Sequence, residues 1–82
     1  MNVNYRYNPD DFKGLLGLPD ELSDFYKLHE VYRKEKTQHN RFALEKQWED
    51  LFFTIKHREV EGFLNPVDAQ GIRGYLEELA SD

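Results

Sequence analysis

The chain opens on a two-residue rhythm. Val3, Tyr5 and Tyr7 fall on one side and Asn4 and Arg6 on the other, the period of an extended segment. A lone strand has nothing in this sequence to pair with. The spacing therefore predicts that residues 1–8 form an extended arm, laid by its tyrosines on the rest of the molecule or reaching a partner.

Asn8, Pro9, Asp10 and Asp11 then make a helix start, with an Asn cap, Pro at the first helical position and acids in the positive first turn. Gly14, Gly17 and Pro19 follow closely, so the expected helix is short, residues 9–16, and the segment should bury Phe12, Leu15, Leu16 and Leu18. Asn65, Pro66, Val67 and Asp68 repeat the capping pattern, although the segments that follow the two do not match.

Between Asp20 and Glu61 there is no Gly and no Pro. One continuous helix over that run would be about 60 Å long. The apolar phase argues for two helices. Leu22, Phe25, Tyr26, His29 and Tyr32 form one stripe, and Leu44, Trp48, Leu51, Phe52 and Ile55 form another, out of register with the first by roughly a quarter turn. The polar residues Thr37, Gln38, His39 and Asn40 separate them. This predicts helices over 20–36 and 41–61, joined as a hairpin, with Asn40 capping the second helix or taking a left-handed turn. A last helix is expected over 66–80, burying Ile72, Tyr75, Leu76 and Leu79. Gly71 and Gly74 inside it each weaken a helix by about 1 kcal/mol relative to Ala, which points to close approach by another backbone or to fraying.

The fold class these patterns predict is all-α: a small single-domain bundle of three to four helices, containing a long antiparallel hairpin and an extended N-terminal arm. Composition fits. The 82 residues are 39% hydrophobic and 33% charged and include six Phe, five Tyr and one Trp, large burial units for so short a chain. No cysteine is present, which removes disulfides and thiolate chemistry and favours a reducing compartment. No apolar run exceeds stretches such as Leu51, Phe52, Phe53, and no signal-peptide pattern opens the chain, so the expected location is cytoplasmic.

Three surfaces stand out as candidates for function. Phe42, Phe53, Val60 and Leu64 recur at helical spacing on a second face of the third predicted helix; they either pack against a second neighbour in a four-element bundle or, left exposed, form a partner-binding or dimer face. Glu77, Glu78 and Asp82 crowd a helix C-terminus, where the dipole disfavours negative charge, and read either as a frayed, solvated tail or as a contact for a basic partner or for residues 33–41 of a second copy. The third is basic. Arg33, Lys34, Lys36 and Arg41 would end one helix and turn into the next, or, as the alternative, contact nucleic acid or an acidic partner. Glu35 interrupts that patch, and the net charge of −5 leans against nucleic acid.

Catalytic chemistry has few handles. His29, His39 and His57 form no pair at helical spacing and no Glu precedes a histidine by three, so no zincin or di-iron motif exists, and no metal or other cofactor is expected. Ser23 and Ser81 have no histidine nearby in sequence, and Gly14 and Gly17 lack the ending of a phosphate loop. What remains for an enzyme is His29 or His57 near Glu30, Glu59 and Glu61, a third-ranked reading. The leading expectation is a non-enzymatic protein-protein interaction module, a small acidic regulator, inhibitor or assembly subunit, binding a protein partner or itself, without a membrane or small-molecule substrate.

Overall fold

The structure, a computed structural model, describes residues 5–81, so the expectations for Val3, Asn4 and Asp82 lie outside the described residues. A single 3-10 turn, Pro9–Phe12, leads into three helices: α1 (Leu18–Lys34), α2 (Gln38–Val60) and α3 (Pro66–Ser81). The molecule is the expected all-α bundle. Near the start of α1, Glu21 accepts hydrogen bonds from Gln47 and Thr54 of α2, and Arg58 near the end of α2 donates to the carbonyl of Leu16, so α1 and α2 run antiparallel. α3 returns along the other flank of α2, with Arg73 paired to Glu59 at 2.8 Å.

Capping chemistry explains the boundaries. Asn8 caps as its sequence suggests, accepting from the Asp10 amide, but the helix expected over 9–16 is only the 3-10 turn. Successive three-residue bonds, Asp11 to Asn8, Leu15 to Phe12 and Leu18 to Leu15, carry the chain onward in short turns, and Gly17 (φ 83°) supplies the left-handed residue that aims α1. Leu16 consequently points into solvent at 82% exposure, whereas it was expected in the core; Leu18, also expected inside, is fully buried.

The hairpin turns at Glu35 to Thr37. Arg33 and Lys34 occupy the last turn of α1, where they meet the negative end of its dipole. Thr37 is the cap of α2, accepting from the Asn40 amide, whereas Asn40 was expected to cap or to turn left-handed. Asn40 lies inside the first turn instead, and its side-chain amide donates back to the Glu35 carbonyl at 2.9 Å.

α2 ends at Gly62 (φ 86°), where the Gly62 amide bonds the Glu59 carbonyl and the Phe63 amide bonds the Arg58 carbonyl. This paired arrangement folds the chain back over the last helical turn. It drives Leu64 into the core.

The core joins Leu18, Leu22, Phe25, Tyr26 and Tyr32 of α1 to Leu44, Leu51 and Ile55 of α2, and closes with Ala69, Ile72, Leu76 and Ala80 of α3. Trp48, Tyr75 and Leu79 pack against it half-buried. Phe52, expected inside, lies partly exposed beside Trp48 with the Arg73 guanidinium 5.8 Å from its ring centre.

The arm is seated. Tyr5 stacks on Tyr26 of α1 at 3.8 Å between ring centres and 8° between planes. The Tyr26 hydroxyl donates to the Tyr7 carbonyl, and the Arg6 amide donates to the Tyr75 hydroxyl of α3. Residues 5–7 thus bridge α1 and α3. Gly71 is where α3 makes room: a Cβ there would stand 2.9 Å from the Tyr7 hydroxyl. The close neighbour is a side chain and not the backbone expected, and nothing approaches Gly74.

Candidate interaction face

α2 is the middle helix and has two opposite seams. Leu44, Trp48, Leu51 and Ile55, spaced by four, three and four residues, face inward. On the other side His39, Phe42, Lys46, Glu49, Phe53, Lys56 and Val60 are spaced by three and four alternately, and every one of them is exposed. That alternation holds side chains on one line along a helix, which is the geometry of a coiled-coil seam.

Phe42 is 66% exposed, Phe53 62% and Val60 79%. Phe42 and Phe53 lie about three helical turns apart. Leu64, placed on this face by its spacing, does not belong to it: the helix has ended, and the turn at Gly62 buries Leu64 to 7% exposure. A helical extrapolation cannot survive a left-handed residue. Leu16, Phe63 and Val67 are also exposed, and Arg58 bonds the Leu16 carbonyl. The sequence reading missed these three residues, because Leu16 was assigned to the core and the turn at Gly62 breaks the periodicity that would link Phe63 to α2.

Of the basic residues, Arg33, Lys34, Lys36 and Arg41 all lie exposed at the hairpin end. Arg41 pairs with Glu45 at 3.0 Å, and the Lys36 ammonium sits 5.9 Å over the Tyr32 ring. A shallow depression there is lined by Tyr32, Lys36, Gln38, Arg41, Phe42 and Glu45, so the basic end runs directly into the Phe42 end of the α2 face. The acidic end of α3 is close by. Glu77 shares a second depression with Arg41, Glu45, Trp48 and Glu49, which places part of the acidic cluster beside the start of α2 in the same chain; Glu77 and Glu78 are both exposed.

Of the histidine and carboxylate groups considered for catalysis, His29, Glu59 and Glu61 each have a separate partner, and His57 is exposed. His29 is buried at 2% exposure with its Nδ1 2.9 Å from the Tyr5 hydroxyl. Glu59 pairs with Arg73, and Glu61 with Arg58. Burial raises the Tyr5 hydroxyl to about 12, with the nearby Glu30 carboxylate adding to the shift and Arg33 opposing it. Tyr26 is raised as well, again chiefly by burial. Both hydroxyls are therefore held neutral as components of the arm's seat. Among the described residues no group of three or more metal-ligating side chains occurs, and none of their helices is long and apolar enough to cross a membrane. No family model matches the chain, and no curated protein or solved structure is found similar to it.

Proposed function

We propose that this chain is a non-enzymatic protein-interaction module that binds through the outer face of α2. The observation that carries the reading is the exposure of Phe42 and Phe53, each near two-thirds, on one line of a helix whose opposite seam is already packed. Covering a phenylalanine is worth roughly 1.5–3 kcal/mol, and a helix held rigid by its own core loses little further backbone entropy on binding. Lys46 and Glu49 between the aromatics, with Lys56 beyond Phe53, would set register and exclude wrong partners.

The test is capture by the immobilised full chain from extract, with nuclease and at two salt concentrations, comparing wild type with Phe42→Asp and Phe53→Asp. Both substitutions sit on exposed positions, so folding stability should change by only about 0.5 kcal/mol and helicity by circular dichroism should be retained. A protein partner lost with either substitution and indifferent to nuclease supports the reading. Capture unaffected by both substitutions, or abolished by nuclease and moderate salt, turns attention to Arg33, Lys34 and Lys36.

A further inference from the structure

We infer that the outer face of α2 is a self-association seam, on which a second copy of this chain pairs its own α2 antiparallel with Phe42 opposite Phe53. The inference rests on the reading of that face as a binding surface and names its occupant. Two antiparallel helices with a three-four seam meet in layers, each layer pairing one residue from each helix. In the stated register Phe42 meets Phe53 of the second copy, Lys46 meets Glu49, and His39 meets Lys56, with every layer repeated by the two-fold axis. Aromatic meets aromatic twice. Opposite charges meet twice, flanking the axis. The face is thus complementary to itself.

Neighbouring registers do not share this property. Sliding one copy by a heptad in one direction sets Lys46 opposite Lys56 and Glu49 opposite Phe53; sliding it the other way sets Phe42 opposite Lys46. Each places like charges together or a charge against an aromatic without its counterion, which makes the charged seam positions a device for fixing register. On the flank, Glu45 is already held by Arg41, which lessens its repulsion across the axis. From His39 to Lys56 the seam is about 26 Å long, room for six such layers. A contact of that size belongs among small, reversible interfaces, roughly 1,200 Å² or less in total. The net charge of −5 on each copy opposes pairing at low salt.

Sedimentation equilibrium of the full chain at moderate salt, from about 10 μM to about 1 mM, reads the association directly. The wild-type chain is expected to approach the mass of a dimer. Lys46→Glu and Glu49→Lys should each weaken association at least about tenfold by setting like charges together in two layers. The Lys46→Glu, Glu49→Lys double variant should restore it, with helicity by circular dichroism unchanged throughout. A wild-type chain that stays monomeric over the whole range overturns the inference. So does a dimer that Lys46→Glu tightens, as the register facing Lys56 requires, or one indifferent to both single changes. The capture experiment separates this failure from that of the broader reading: a monomer whose capture of another protein still depends on Phe42 and Phe53 loses the second copy but keeps the surface.

Discussion

Gly71 and Gly74 lie three residues apart on α3 and would be equivalent by helix propensity alone. Their surroundings separate them. Gly74→Ala meets open space and should stabilise the fold by about 1 kcal/mol in urea denaturation. Gly71→Ala gains the same propensity but drives its Cβ against the Tyr7 hydroxyl, whose ring is held between Phe12 and Tyr75, so its gain should be smaller or reversed. In a Tyr7→Phe background that shortfall should disappear, because the obstructing atom is gone; a shortfall that persists would place the strain elsewhere. Tyr5 supplies a second residue-scale prediction. Its hydroxyl is raised to about 12 in the folded chain from the ordinary value of 10.0, so the folded state holds that proton more tightly than the unfolded state. The associated stability is fully present below pH 10 and is lost as pH rises from about 10 through about 12. Tyrosinate absorbance should show a late-titrating component in buffer that moves to ordinary values in urea, and Tyr5→Phe should diminish it.

Each helix is delimited by a small number of local bonds that packing alone would not supply. Thr37 satisfies the Asn40 amide at the start of α2, and Thr37→Ala should lower stability by about 1 kcal/mol. Gly62 closes the other end of α2 in a left-handed conformation, and its consequence is the burial of Leu64, so Leu64→Ala should cost about 2–5 kcal/mol although its spacing marks it as surface. A loss below about 1 kcal/mol would return Leu64 to the binding face. Periodicity made the inward stripes of α1 and α3 legible, because those faces meet one core and repeat at helical spacing. It failed where the chain leaves the helix: Leu16 and Leu64 exchanged places between core and surface because a glycine with positive φ, Gly17 or Gly62, follows or precedes each in the sequence. In α2 it found two apolar faces and assigned the Leu44 face to the core, where Leu44, Leu51 and Ile55 lie. Phe52 was taken for core and Phe42 and Phe53 for surface on spacing alone, and packing against Arg73 and Trp48 left Phe52 between the two.

At the scale of the whole molecule the arm is a fourth structural unit without being a helix. α2 packs against both α1 and α3, while residues 5–7 tie α1 to α3 through the Tyr5–Tyr26 stack and the hydrogen bonds to Tyr7 and Tyr75. Deleting residues 1–7 should therefore lower global stability and raise amide exchange in α3 more than in the hairpin, where Gln47 and Thr54 hold α2 to Glu21. Equal loss of protection in all three helices would mean that the arm stabilises the core as a unit and is not a strap. Residues 5–7 cover the groove between α1 and α3, and the outer line of α2 is left as a long exposed helical face carrying aromatics, which is why that face bears the functional proposal.

The sequence by itself determined the all-α class, the break of the long Gly-free and Pro-free run into a hairpin, and most of the buried stripe. These follow from chain-local physics: helical period, dipole and capping preferences act within a few residues and are written in their order. Only the tertiary structure decided which apolar residues remain in water, that the tyrosines of the arm fill the groove between α1 and α3, and that Gly71 is matched to Tyr7. Those outcomes depend on which surfaces meet, and residues sixty positions apart in the chain acquire their relation only when the helices are packed.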